Sequence, residues 1–505
     1  MPFLQWVNDN EARRAAKAVP FRLLKEEAVY GDASQAKDNL LVKGDNLDAL
    51  RALIPFYRGK VKCIYIDPPY NTGSAFEHYD DNLEHSQWLS MMMPRLQLLR
   101  EFLSEEGSIW VSIDDEEEPY LKVLMNEIYG RNNYVATNIW QKRYSRENRE
   151  AIGDAHEYLL VYAKNKDVFK TIRNLVPMSE EQAKVYKNPN SDPRGRWRGV
   201  PMTAQGYRPN QMYPITDPKG GIHFPPEGRC WSTIESEFKN LLAEGRIYFG
   251  KNNNSQPSII RYLSEVPGVT PWTWWPHDEV GHTDESKKES LALFGKQMFA
   301  TPKPERLIQR VIHIATNPGD LILDSFLGSG TTAAVAHKMG RRYIGIEMGE
   351  HAKTHCIPRL QKVIDGEQGG ISQAVNWQGG GGFTFYTLDE PVFDELGLIN
   401  PKVDFKTLAA YLWQRETKEP SVPEYSPYLG SHQATAYYLL FNGVLSEDNL
   451  VEPNVLTYSV LKSLLEDYPF NGPKVIYADA CAGISDHELK KLQVTFKQIP
   501  YDIMQ

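Results

Sequence analysis

The residues best suited to chemistry are Asp67-Pro68-Pro69-Tyr70-Asn71, directly after the apolar run Val61 to Ile66. Two consecutive prolines fix φ twice and remove two backbone donors, giving a stiff loop whose carbonyls point in set directions. Beside them the Asp67 carboxylate can accept hydrogen bonds from an amino group, and the Tyr70 ring can stack on a planar partner. The group suits chemistry at an amino nitrogen on a flat ring. A strand-ending turn that merely contains Pro-Pro is the bland reading. Its place at the carboxyl end of a buried strand, where ligand sites of open α/β sheets collect, favours the functional one.

A second cluster, Asp324-Ser325-Phe326-Leu327-Gly328-Ser329-Gly330-Thr331-Thr332, follows the apolar triplet Leu321 to Leu323 and opens a helix. Glycines there let the backbone approach a ligand, and an acid ending the next strand, here Glu347, can bind ribose hydroxyls. By itself this cluster is ambiguous, because Gly328-Ser-Gly330-Thr-Thr-Ala333 also satisfies a looser dinucleotide pattern, and a nicotinamide or flavin enzyme is a competing reading. The Asp67 tetrapeptide breaks the tie.

Both clusters need strands to carry them. Leu40 to Leu53 reads as strand, turn and helix, and Val61 to Asp67 as a strand buried on both faces. A helix follows from His85 with Pro94 as a candidate kink, then a strand at Gly107 to Asp114, a helix closed by Gly130 and a strand at His156 to Asn165. This alternation predicts a doubly wound α/β sheet. From 166 to 290 the pattern breaks into Pro-, Gly-, Asn- and aromatic-rich stretches, which predicts an insertion. The alternation resumes over 291–376, Gly379 to Gly382 reads as a linker, and 377–505 ends in a strand–helix–strand unit. Residues 1–39 read as an N-terminal extension and 40–165 as the first half of the core.

At 505 residues with 41% hydrophobic and 24% charged side chains, the chain is globular and long enough for two or three domains. No apolar run reaches bilayer length and the N-terminus lacks a signal-peptide core, so a cytoplasmic protein is expected. The four cysteines are scattered singly, which suits reduced thiols better than disulfides or zinc. A net charge of −9 does not exclude nucleic acid, because Pro193 to Thr216 carries Arg194, Arg196, Arg198 and Arg208 without an acidic residue, and Gln141 to Glu150 is also basic-leaning. Trp272, Trp274 and Trp275 are as readily packing residues of the insertion as DNA contacts. Asp114 to Glu118 reads as a solvated helix start, not a metal site, and His351, His355 and Cys356 as a surface helix. Gly245 to Asn252 approaches a P-loop but lacks the Ser or Thr for magnesium.

With both motifs in place, DPPY and FLGSG, the sequence resembles the amino-methyltransferases of DNA. Catalytic motif first and cofactor motif second is the order of their circularly permuted β class. More narrowly, LLVKGDNLDAL, GKVKCIYIDPPYNTG, HEYLLVYAKN, DEVGHTDESKKE and TPKPERLIQRVI resemble the modification subunit of Type III restriction-modification systems. The resemblance implies a Rossmann-like S-adenosylmethionine-dependent fold with an inserted target-recognition domain and a small α/β C-terminal domain. It implies catalytic roles for Asp67, Pro68, Pro69 and Tyr70. For the cofactor it implies Asp324, Phe326, Gly328, Gly330 and Thr331 at the methionine part, Glu347 at the ribose, Asp45 and Asn46 at the adenine, and Thr301, Lys303, Pro304 and Arg306 closing over the methionine carboxylate. An Asp opening the tetrapeptide implies adenine N6 as the target. Asn71 and the four arginines are the candidate contacts to double-stranded DNA. A homodimer and a separate restriction subunit with helicase and endonuclease functions are the implied partners. Cytosine-N4 or RNA amino-methylation, and a non-catalytic sequence-specific DNA-binding subunit, are the alternatives.

Overall fold

The structure, a computed structural model, describes residues 3–71, 84–145, 152–297, 299–394, 396–420, 426–442 and 454–501. Two units are present: residues 1–174 with 272–505, and residues 175–271.

The larger unit is built on a ten-stranded sheet. Its strands are β1 (Arg22–Gly31), β2 (Leu40–Lys43), β3 (Val61–Ile66), β4 (Leu103–Ile113), β5 (Tyr134–Gln141), β6 (His156–Ala163), β7 (Trp274–Trp275), β8 (Leu321–Asp324), β9 (Arg342–Glu347) and β10 (Gly382–Pro391), in spatial order β1-β10-β2-β9-β8-β3-β4-β6-β5-β7. The run from β10 through β4 is parallel, while β1 and β6 each pair antiparallel with their neighbours. Within β3, Ile64 and Ile66 join the core cluster formed with helices α1 (Asn46–Tyr57) and α2 (His85–Phe102). Cys63 and Tyr65 are equally buried and point to the opposite face, which is why the strand reads as one continuous apolar run. Pro94 removes one backbone bond from α2, yet the helix runs through it because Trp88, Leu89, Met92, Met93, Leu96, Leu99 and Phe102 are all buried.

Three boundaries differ from the sequence expectation. The N-terminal segment is not a mere extension, since β1 is the edge strand of the core sheet. Gly379 to Gly382 is not a free linker: Gly382 opens β10, and a Cβ on it would meet the Tyr30 carbonyl at 2.6 Å, so glycine is required where β1 and β10 come together. The small unit is shorter than 166–290, because Lys166–Ile172, Trp274–Trp275 and Thr283–Phe294 all form elements of the larger unit. Beyond the sheet, Tyr428–His432, Thr435–Leu439, Lys474–Ala478 and Val494–Gln498 form a separate four-stranded sheet; its last two strands flank the helix Asp486–Lys491 as the expected strand–helix–strand unit.

The smaller unit is held by short antiparallel pairings, among them Trp197–Pro201 with Ser258–Tyr262, around Met202, Tyr213, Ile215, Trp231, Phe238 and Phe249. Of the three tryptophans, Trp275 is buried in the larger unit against Trp110, whereas Trp272 and Trp274 stay about half exposed.

Candidate active site

Strands β3 and β8, far apart in sequence, lie side by side and parallel, with Ile322 opposite Cys63 and Leu323 opposite Ile64. Asp67 and Asp324 therefore leave the same edge of the sheet. Glu347 ends β9, the next strand over, so three carboxylates stand on successive strand ends. Burial, with the Asp67 and Glu347 charges adding to it, pushes Asp324 up to about 7.

The proline loop is pinned from below. The buried Trp88 indole donates to the Pro69 carbonyl at 2.7 Å. The neighbouring Pro68 carbonyl has no hydrogen-bond partner among the described residues. Asn71 takes the left-handed conformation (φ 63°), and its side-chain amide donates to Glu117 at 2.7 Å. Glu117 is wholly buried and also lies 2.7 Å from His85 Nδ1, so it braces the loop and is no part of a solvated helix start. Asp114 beside it is pushed up to about 7, chiefly by burial.

Around Asp67 the geometry was not foreseen. Lys303 Nζ donates to both carboxylate oxygens, at 2.8 and 2.7 Å, and lies 3.5 Å from Glu157 at the start of β6. The Tyr70 hydroxyl reaches Asp67 at 2.7 Å and Glu157 at 3.0 Å, and the Lys303 ammonium sits 5.0 Å from the centre of the Tyr70 ring. Burial raises the Asp67 pKa; Lys303 opposes that rise and Glu157 adds to it. Burial disfavours the Lys303 charge, but Asp67 and Glu157 outweigh it and hold the ammonium above its ordinary value. Lys303 and Arg306, expected at a cofactor carboxylate, are thus both held by protein acids, because Arg306 makes a two-pronged pair with Glu285 at 2.7 and 2.6 Å. Thr301 is exposed and Pro304 caps the helix α3 (Glu305–Ala315).

The glycine turn is shaped by its surroundings. Gly328 and Gly330 have φ of 57° and 83°, conformations that favour glycine, and lead into α4 (Thr331–Lys338). Glu347 accepts from the Gly328 amide at 2.7 Å and the Gly349 amide at 3.0 Å, with His351 2.8 Å away. Asp324 accepts from the Phe326 amide at 2.9 Å. Asn46 ties its side-chain amide to the Ser325 carbonyl at 2.8 Å, while Asp45 caps α1 and pairs with Arg95 at 2.9 Å. His351 and Cys356, expected on a surface helix, are buried instead; a Cβ on Gly330 would meet Cys356 Cα at 3.3 Å, so this segment forms the floor under the turn.

A buried ionic network supports the same turn. Glu305 accepts from Lys338 at 2.8 Å, from Arg359 of α5 (Ile357–Ile364) at 2.9 Å and from the Ile371 amide at 3.0 Å. Arg359 donates in turn to the Thr331 hydroxyl at 2.8 Å, and all three charged side chains are at most 2% exposed. Spacing gives no signal for such a network, nor for Trp88 or Glu157, although Glu157 lies within the HEYLLVYAKN stretch.

Of the smaller unit's arginines, Arg194 is engaged internally. It pairs with Asp192, donates to the Glu244 carbonyl at 3.0 Å and stacks 4.7 Å over Tyr262. Arg196, Arg198 and Arg208 are exposed, with Glu180, the Tyr186 ring and Gln211 as their respective neighbours. The basic stretch from Gln141 lies partly outside the described residues.

Fold and site together set a carboxylate-and-proline loop facing a glycine turn across two adjacent strand ends of an α/β sheet. Comparison with known proteins narrows this. Residues 61–357 match the family described as DNA methylase, and the chain belongs to that family. It is similar to the StyLTI Mod subunit, a Type III restriction-modification enzyme of Salmonella typhimurium (35% identity, covering 65% of this chain and 55% of the relative). It is similar also to the probable Type III HindVI Mod subunit of Haemophilus influenzae (34%, covering 76% and 59%). The Type II methyltransferase M.EcaI of Enterobacter cloacae is 30% identical over 67% of this chain and 70% of its own. The chain spans somewhat more than half the length of the Mod subunits it matches.

Proposed function

We propose that this chain transfers a methyl group from S-adenosylmethionine to N6 of an adenine flipped out of double-stranded DNA, as the modification subunit of a Type III-like system. The observation that carries this reading is the convergence of Asp67 and the rigid Pro68 carbonyl with the glycine turn on one edge of the sheet. The adenine amine is a weak nucleophile because its lone pair is delocalised into the ring. Asp67 and the Pro68 carbonyl accept its two N–H bonds and favour a more tetrahedral nitrogen, an effect of position and electrostatics. With S-adenosylmethionine bound, its sulfonium–methyl bond would break as the nitrogen–methyl bond forms, the neutral thioether would leave, and the Asp67 carboxylate would take the surplus amine proton. Duplex stacking hides the amine, so the base enters the site flipped, with the Tyr70 ring as its stacking platform.

The residues fit the cofactor. Carboxylates Asp67, Asp324 and Glu347 on adjacent strand ends suit a cationic sulfonium, and Glu347, buried beside the Gly328 amide, retains acceptor capacity for a ribose diol. S-adenosylmethionine supplies the electrophilic methyl. Asp324, Phe326, Gly328, Gly330 and Thr331 would hold its methionine part, with Asp45 and Asn46 toward the adenine. Arg196, Arg198 and Arg208 are the proposed phosphate contacts. A homodimer and a separate restriction subunit remain the proposed partners, in keeping with the Mod names of the relatives. No helix among the described residues is long and apolar enough to cross a membrane; the cytoplasm, where a DNA substrate would be met, is the proposed location.

The test is single-molecule sequencing of DNA from cells expressing the chain, followed by nucleoside analysis of methylated duplex. N6-methyladenine at one recurrent motif, lost in Asp67→Ala while DNA binding persists, is the expected result. N4-methylcytosine, methylation of RNA, or full activity in Asp67→Ala overturns the reading.

A further inference from the structure

Lys303 stands in the place of the substrate in two respects at once. Its ammonium makes hydrogen bonds of 2.8 and 2.7 Å to the carboxylate that must accept the target amine, and it lies over the ring on which the target base would stack. A donor nitrogen bound to Asp67 above Tyr70 is a reduced copy of a flipped aminopurine. The base cannot enter until Lys303 moves, and a buried ammonium cannot move to a site without a counter-charge. Glu157 provides one. Its carboxylate is 3.5 Å from the same ammonium, shares the Tyr70 hydroxyl with Asp67 and keeps only 12% of its side chain exposed.

Resting on the amine-methylation reading above, we infer that Lys303 is a place-holder for the target amino group and that Glu157 is the positioning residue that receives it when the base arrives. Before entry, one ammonium and one hydroxyl proton bridge two carboxylates. After entry, the amine hydrogen-bonds Asp67 and Lys303 pairs with Glu157 alone, so the ammonium keeps a buried counter-charge. Lys142, 3.6 Å from Glu157 and 2.8 Å from Asp154, flanks the cluster, with Asp114 and Asp324 as further acidic neighbours and the buried Tyr65 phenol facing Asp67 and Glu157. The exchange breaks and makes hydrogen bonds only.

The experiment uses the full chain and a duplex carrying its sequenced motif, with 2-aminopurine at the target adenine as a fluorescent reporter of flipping. Lys303→Met should increase the flipped signal roughly threefold, since the base meets no competitor. Its activity profile should lose its acid limb at higher pH, because Asp67 no longer has its opposing cation and needs less acid to protonate. Glu157→Gln should lower kcat about tenfold and move the acid limb the opposite way, since a repelling carboxylate has gone. Both variants should bind S-adenosylmethionine within about twofold of the parent by calorimetry. A purely structural role would not displace the two pH limbs in opposite directions. Weakening of cofactor binding by about tenfold or more in Lys303→Met, with flipping and pH profile unchanged, overturns the inference and returns Lys303 to the cofactor. Should Lys303→Met fail to fold, the direction of the Glu157→Gln limb decides alone. If the parent chain methylates no DNA amine, it is the functional reading that fails, and the variants are not needed to show it.

Discussion

Trp88 sits at 0% exposure with its indole nitrogen 2.7 Å from the Pro69 carbonyl, one of the bonds that fix the orientation of the tetrapeptide. Trp88→Phe keeps the buried ring but leaves the carbonyl unsatisfied, which costs about 1–3 kcal/mol of stability. A loop released by a fraction of an ångström should also lose about tenfold in kcat with little change in cofactor affinity; single-turnover methylation and calorimetry separate the two. Asp324 carries a second residue-scale expectation. Its carboxyl titrates near 7, raised by burial, so around neutral pH it is partly protonated. A sulfonium bound beside it favours the ionised form and drives a proton off. S-adenosylmethionine binding at pH 7 should therefore release roughly half a proton, read as a dependence of binding heat on buffer ionisation enthalpy. The release should vanish by pH 9, and S-adenosylhomocysteine, which lacks the positive sulfur, should show none.

At the scale of elements, the site is assembled from pieces held together by charge as well as by apolar packing. Glu305 at the start of α3, Lys338 at the end of α4 and Arg359 in α5 form one buried network, and Arg359 extends it to the Thr331 hydroxyl at the glycine turn. Removing one member leaves a buried charge uncompensated. Arg359→Met is accordingly expected to destabilise the larger unit by about 3–5 kcal/mol, measured by denaturant unfolding, while replacement of the exposed Arg342 should change little. Strands buried on both faces, such as β3 and β8, were legible because a continuous apolar run bounded by turn residues has few other readings. The edge strand β1 was not, since Arg22 to Gly31 alternates weakly and carries the exposed charges Lys25, Glu26 and Glu27 in succession, on both faces. Its partner β10 begins inside a glycine run that imitates a linker, although Gly382 is required where the two strand backbones approach too closely for a Cβ.

At the scale of the whole molecule, the proposed reading assigns recognition to the smaller unit and chemistry to the larger, and the arginines of the smaller unit should behave differently from one another. Arg194 is bound into Asp192, Tyr262 and two backbone carbonyls, so Arg194→Ala should lower the melting temperature of the smaller unit. Changing Arg196, Arg198 and Arg208 together to Ala should weaken DNA binding and flatten its salt dependence by about 0.9 in slope per lost phosphate contact, leaving cofactor affinity unchanged. Filter binding over a salt series tests both. The sequence alone determined the motifs: Asp67-Pro68-Pro69-Tyr70 and the Gly328–Gly330 turn are contiguous, and rigid loops and tight turns are written in adjacent residue types. Only the tertiary structure decided which side chains surround them. Lys303, Glu157 and Trp88 reach Asp67 and its loop from three separate stretches of chain, and a hydrogen bond between distant segments leaves no periodicity for spacing to reveal. The identity of a residue limits what it can bind; the fold determines what lies within 3 Å of it.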